Sequence, residues 1–216
     1  MLNSIISFSA QSYGLLPLMA FILLIALIVI ADRVIFFAVS VKKGTHLDDD
    51  LELVNPGNLA DLHKLSAHYT GSVQGALVSH AIRYQASGEV ELERKIEEAI
   101  MRQMPKLDRN LWVLDTAVTL GPLLGLFGTI AGMIGSFNVL GASGTGNPMA
   151  VSGGIAHALI ATGFGLTIAI IGMVMLNYLN KRVRMVILQM DLIKSMLISR
   201  LTHTAQVEKR LTAVAH

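Results

Sequence analysis

Charge is distributed along this chain in blocks. No Asp, Glu, Lys or Arg occurs in residues 1–31, and none in residues 116–180. Every charged side chain lies between Asp32 and Asp115 or from Lys181 onward. In the first charge-free tract, LLPLMAFILLIALIVIA fills residues 15–31, and the apolar pattern resumes at Val34 and runs to Val41. A helix rises about 1.5 Å per residue and needs about 20 apolar residues to cross the hydrocarbon of a bilayer. The pattern predicts a first membrane helix over residues 15–41. The second tract predicts two more, over residues 116–140 and 152–176. Between them GASGTGNPMAV, residues 141–151, reads as a tight turn.

Basic residues orient these spans. All 17 Lys and Arg fall within residues 33–109 or 181–210, and residues 1–14 and 141–151 have none. The positive-inside rule then places residues 1–14 and the 141–151 turn outside, and residues 42–115 and 177–216 in the cytoplasm. Asp32 and Arg33 fall where the hydrocarbon should end, which reads as an interfacial ion pair with a snorkelling arginine. The N-terminus lacks a basic leader and a small-residue cleavage site, so the first apolar run is expected to stay as an anchor.

The cytoplasmic middle has helical patterning and no strand pattern. Asn55, Pro56 and Gly57 form a turn signal, and Asn58 is placed to cap LADLHKLSAH. A second short helix is expected over residues 72–85. EVELERKIEEAIMRQMPKLDRNLWVLD carries acids early and bases late, as the helix dipole prefers. Nothing but Pro105, a local bend, stands between it and the second span. The expectation is one helix over residues 89–140, about 78 Å long. The third span likewise flows into VRMVILQMDLIKSMLISRLTH, an amphipathic extension. The fold class is an all-α membrane protein with three transmembrane helices, two of them extended far into the cytoplasm.

Composition narrows the function. Charged residues make up 15% of the chain and apolar residues 53%, against roughly 25% charged in a soluble domain. A net charge of +2 is too small for a nucleic-acid surface, and the absence of cysteine excludes disulfides and thiolate metal sites. His63, His68 and His80 lack a one-face spacing with carboxylates, so neither a metal nor a cofactor is expected. No nucleophile–base pair or phosphate loop supports an enzyme.

In the second span Gly121, Gly125, Gly128, Gly132 and Gly135 recur at spacings of 4, 3, 4 and 3, which puts all five on one face. The plain reading is a packing face, since small residues let backbones approach where lipid supplies no hydrophobic drive. Close approach also points to an oligomer or an inserted partner. Thr129 lies 11 residues, about 16 Å, from the outer end of its span, and Thr162 lies 10 residues, about 15 Å, from the outer end of the third. A lone membrane threonine usually bonds its own helix carbonyl. Two at one depth, repeated around an oligomer, would form a polar ring in an apolar pore. His157, about 7.5 Å below the outer end, is the one readily ionisable side chain in the charge-free tracts. Histidine titrates near physiological pH, and ionisable groups inside a membrane are functional candidates. The competing reading is a neutral histidine bonded across helices.

These residues carry a resemblance. GLFGTIAGMIGSF, residues 125–137, and SGGIAHALIATGFGLTIAI, residues 152–170, resemble the second and third membrane helices of the ExbB/TolQ/MotA proton-channel family. The likeness is closest to the ExbB and TolQ branch. It extends to the topology, the cytoplasmic insert and Asn177 at the end of the third span. It implies a bacterial inner-membrane, multi-pass subunit with a periplasmic N-terminus and periplasmic turn. It also implies a pentamer around a pair of ExbD/TolR-type single-span helices, whose membrane Asp exchanges protons against the pore threonines. Thr129 and Thr162 match those threonines. The MotA branch, with four spans, is less similar. Well-studied members have Glu where this chain has His157, and Pro where it has Ile171.

The resemblance implies a stator that uses proton-motive force to drive a periplasmic partner. That partner is either TonB-like, for outer-membrane import, or TolA-like, for envelope maintenance. NPMAVSGGI before the third helix leans toward ExbB. The other class of function is a non-conducting scaffold, for which the change to His157 would be the motive.

Overall fold

The computed structural model describes residues 14–142 and 148–214, and among them all regular elements are helical. In chain order these are α1 (Leu15–Phe36), α2 (Leu47–Leu53), α3 (Leu59–His68), α4 (Gly75–Arg83), α5 (Glu89–Leu107), α6 (Leu111–Ala142) and α7 (Pro148–Val214). A π turn, Phe37–Val41, and a tighter turn, Lys42–Gly44, carry the chain out of α1. Three stretches, beginning at Leu15, Leu111 and Val151, are long and apolar enough to cross a membrane. The 22 residues of α1 rise about 33 Å, against about 30 Å of hydrocarbon.

The chain divides into two compact units. One takes Met1–Asp32 and Asn110–Tyr178; the other takes Arg33–Arg109 and Leu179–His216. The division follows the charge pattern, for all 17 Lys and Arg belong to the second unit. In the apolar unit α1 buries Met19, Ala26 and Val29 and turns Phe21, Leu24 and Ile28 outward. Large apolar side chains are also exposed on α6 (Leu123, Phe127, Ile134) and α7 (Leu159, Ile170). Such faces suit lipid or neighbouring chains, not water.

The expected single helix over residues 89–140 does not form. Helix α5 passes through Pro105 and ends at Leu107, with the Asp108 N–H on the Met104 carbonyl at 3.2 Å. Asn110 then adopts φ 62°, a left-handed conformation, and α6 starts at Leu111. Proline removes one hydrogen bond and bends a helix, but a left-handed residue ends it, and asparagine is one of the few side chains that tolerate that geometry. By contrast, residues 173–214 contain no Gly and no Pro, so nothing interrupts α7. The expected 72–85 helix is shorter, Gly75–Arg83, because the Ser72 hydroxyl takes the Gly75 N–H at 2.9 Å and holds the preceding residues in a turn. Of the expected turn at 141–151, Gly141 and Ala142 belong to α6, and Pro148 to Val151 belong to α7. Residues 143–147 and 1–13 lie outside the described residues.

The charged unit has a core of its own. Helix α5 buries Leu92, Ile96, Ala99, Ile100, Gln103 and Leu107, and α7 buries Val186, Met190, Ile193, Leu197 and Leu201. Both lists follow helical spacing. Gln103 is the single polar member of the α5 stripe, at 8% exposure. A second glutamine, Gln74, is fully buried and donates to Gln189 Oε1 at 3.0 Å. Gln189 in turn donates to the Thr45 carbonyl at 2.9 Å and to Asp48 at 2.8 Å. A side chain at Gly44 would meet the Gln74 amide and have to displace it. Arg200 binds the carbonyls of Glu52 and Val54 at the end of α2, where a helix welcomes positive charge. Asn58 caps α3 by accepting the Asp61 N–H at 3.3 Å.

Arg33 is buried where a snorkelling side chain was expected. It is 2% exposed, donates to the Lys106 carbonyl at 3.1 Å and lies 4.9 Å from the Phe36 ring centroid. Its charge is held by backbone and an aromatic face instead of water.

Candidate functional site

Two stripes of small residues bring α6 and α7 together. On α6 the stripe is Gly121, Gly125, Gly128 and Gly132. On α7 the facing residues are Gly154, Ala158, Ala161, Gly165 and Gly172. A methyl group built on Gly121 would sit 2.8 Å from the Gly165 carbonyl oxygen, and one on Gly125 would sit 3.0 Å from the Thr162 Cα. A methyl on Gly132 would sit 2.9 Å from the Ala158 methyl. Gly128 is where three helices converge, because its added methyl would lie 2.7 Å from both Ala161 Cβ and a methyl of Leu15. Gly135 is half-buried. The contacts of this face are made within one chain, α6 against α7 and α1.

The α7 stripe was legible but not singled out at the level of sequence. Positions 154, 158, 161 and 165 repeat the 4, 3, 4 spacing seen on α6, and 172 follows seven residues on. Ser136 was also passed over; it is 5% exposed and donates to the Gly132 carbonyl at 2.9 Å.

The close approach of the two backbones brings Thr162 to α6. Its hydroxyl donates across to the Gly125 carbonyl at 2.9 Å. Thr129 donates within its own helix to the Leu126 carbonyl at 2.7 Å. The two hydroxyls thus rest on consecutive carbonyls of α6, in a unit whose residues include no Lys or Arg. A hydroxyl has one proton to give and two lone pairs to accept with. Both protons are committed, so what these oxygens offer to a visitor is acceptor capacity.

His157 is half-buried on α7. Five residues at 3.6 per turn carry it about 140° around the helix from Thr162, so the two do not share a face. The acids of this unit are Asp32 and Asp115. Among the described residues no group of three or more His, Asp or Glu is placed to hold a metal. His63 and His68 are exposed on α3, and His80 is half-buried on α4.

Residues 70–192 match the family described as the MotA/TolQ/ExbB proton channel family. The chain belongs to this family. The match contains α4 to α6, both threonines, His157 and all five α6 glycines. Among relatives, a Synechocystis sp. protein named as a biopolymer transport protein ExbB-like 3 is 30% identical over 166 residues, covering 74% of this chain and 77% of its own length. The biopolymer transport protein ExbB of Xanthomonas campestris is 33% identical over 46% of this chain and 40% of that protein. The Tol-Pal system protein TolQ of Pseudomonas aeruginosa is 38% identical over 44% of this chain and 41% of that protein. This is a family of membrane channel proteins, not of enzymes, and the chain spans well under half the length of the last two relatives.

Proposed function

We propose that this chain is the channel-forming stator subunit of a bacterial inner-membrane motor that uses proton-motive force to energise a TonB-type partner for outer-membrane import. The observation that carries the reading is the pair of threonine hydroxyls on the Gly125 and Leu126 carbonyls, inside an apolar unit of a proton-channel family protein. In this reading residues 1–14 and 141–151 are periplasmic. Residues 15–41, 116–140 and 152–176 span the membrane, and residues 42–115 and 177–216 are cytoplasmic. Five copies surround a pair of ExbD/TolR-type single-span helices, each bringing one carboxyl group to the level of the threonines. No nucleic acid takes part.

The geometry supports a chemical cycle. A protonated partner carboxyl can donate to Thr162 Oγ1 while Thr162 keeps its bond to Gly125. An ionised carboxylate only accepts, so it competes with the Gly125 carbonyl for the same hydroxyl proton. Protonation of the partner would therefore decide whether the α6–α7 bond is made. One proton crossing 100 mV releases about 2.3 kcal/mol, enough to exchange a bond of that size.

The Pseudomonas TolQ match equally supports a TolQ-like subunit acting on a TolA-type partner. The change from Glu to His157 motivates a third reading, a non-conducting scaffold. Proton flux into vesicles that hold this chain with its single-span partner separates conduction from scaffolding. No flux above that of empty vesicles would overturn the stator reading.

A further inference from the structure

The charged unit holds a cavity of about 380 Å³ between the end of α1, the α3–α4 connection and α5. Phe36 and Ser40 line it from α1 and the π turn, Ser66 and Thr70 from α3 and the loop after it, and Gln103 and Lys106 from α5. No Asp or Glu lines it. Gln103 is more than nine-tenths buried and makes no side-chain hydrogen bond among the described residues. Among the described residues the hydroxyls of Ser40 and Ser66 make none, and the Lys106 ammonium has no ion pair. Two further bases hold the walls in place. Arg33 donates to the Lys106 carbonyl at 3.1 Å, and Lys43 donates to the Thr70 carbonyl at 2.8 Å.

Four donors that meet no acceptor among the described residues, the buried Gln103, the half-buried Ser40 and Ser66 and the exposed Lys106 at the rim, together with a positive surround and no carboxylate, describe a host for an anion rich in acceptor oxygens. A cation would find no counter-charge, and an apolar guest would leave the Gln103 amide unsatisfied. We propose that this cavity binds a phosphate group, carried on the headgroup of an anionic phospholipid. Lys106 supplies the charge, the Gln103 amide and the two serine hydroxyls supply hydrogen bonds, and Phe36 supplies an apolar wall toward the acyl chains. The lipid source follows from place. Phe36 and Ser40 directly continue the apolar run of α1, and Lys42 and Lys43 come next, so the cavity lies where hydrocarbon gives way to headgroups. That step rests on the membrane reading of α1; the phosphate chemistry does not.

The test uses the full chain in a phosphate-free maltoside detergent. Lys106 is acetylated in the presence of phosphatidylglycerol, inorganic phosphate or diacylglycerol, with Lys42 as the reference amine in the same sample. Phosphatidylglycerol is expected to lower the Lys106 reaction several-fold relative to Lys42, with diacylglycerol inactive. Gln103→Leu and the milder Ser66→Ala should each weaken that protection, and native mass spectrometry should find less phosphatidylglycerol retained per subunit. Protection by inorganic phosphate at equal strength would keep the phosphate site and make its source soluble. Parallel changes at Lys106 and Lys42, equal protection by diacylglycerol, or no protection by either phosphate compound would overturn the proposal.

Discussion

Thr162 and Gly125, thirty-seven residues apart, are joined by a 2.9 Å hydrogen bond from hydroxyl to carbonyl. The bond exists because Gly125 has no side chain to keep the Thr162 backbone away. It places the threonine on the α6 backbone instead of on its own helix, as Thr129 is placed. Thr162→Val keeps the shape but removes the donor and the lone pairs, and Thr162→Ser keeps both.

The first prediction follows. Thr162→Val should leave assembly intact, cost about 1 kcal/mol of stability and abolish coupling of proton flux to the partner. Thr162→Ser should retain most of the coupling. Comparing flux and thermal stability of the two variants checks this, and equal flux in wild type and the Val variant would remove Thr162 from the proton path.

The second concerns the three-helix junction. Gly128→Ala places a methyl 2.7 Å from both Ala161 Cβ and a Leu15 methyl, and overpacking of this kind costs about 1–3 kcal/mol. Ala161→Gly removes one of the two clashes, so the double variant should recover part of the loss. A thermal-melt double-mutant cycle in detergent measures the coupling. Strict additivity would mean that the two residues do not meet.

How much of this could be read in advance depends on whether the signal is local. The three apolar stretches were legible because each is built on a long tract without charge, and the Asn58 cap was legible because its signal is a short motif. The α6 glycine stripe was legible as a face, and its match on α7 was written in the same spacing. What faces what was not: the pairing of Thr162 with Gly125 depends on the register between two helices, which the periodicity of either one leaves open. The stop at Asn110 was missed because asparagine reaches left-handed φ without the glycine that usually announces it. The burial of Arg33 was missed because the Lys106 carbonyl that it meets comes from a helix that only tertiary packing brings near.

The third prediction concerns alkaline pH. Tyr69 is 4% exposed and bonds Asp50 at 2.5 Å. Burial first, then the hydrogen bond and the charge of Asp50, push its pKa from 10.0 to about 12. The neutral phenol is the form the fold favours. Its contribution is therefore fully present below pH 10, declines as pH rises, and is lost by about pH 12. Tyr69→Phe has no such proton to lose, so its stability should change less than that of wild type across this window. Melting followed by circular dichroism, with phenolate absorbance on both proteins, checks the sign. A steeper loss in the Phe variant would refute it.

The last prediction places His157. It is the one imidazole in the apolar unit, half-buried on α7 and about 140° around the helix from Thr162. In the membrane reading it lies about 7.5 Å below the outer end of its span. That position suits an accessory proton site near the outer mouth, not the carrier at the level of the threonines. His157→Gln preserves size and hydrogen bonding but cannot titrate, so it should leave assembly unchanged and slow proton-driven activity only in part. His157→Glu restores a titratable group and should be tolerated. Activity of both variants should be followed from about pH 5.5 to about pH 8, the range that brackets an ordinary imidazole. Loss of the wild-type pH dependence in the Gln variant, with residual flux, is the expected outcome. Complete loss of flux would make His157 an essential carrier, and unaltered profiles in both variants would leave it a packing residue.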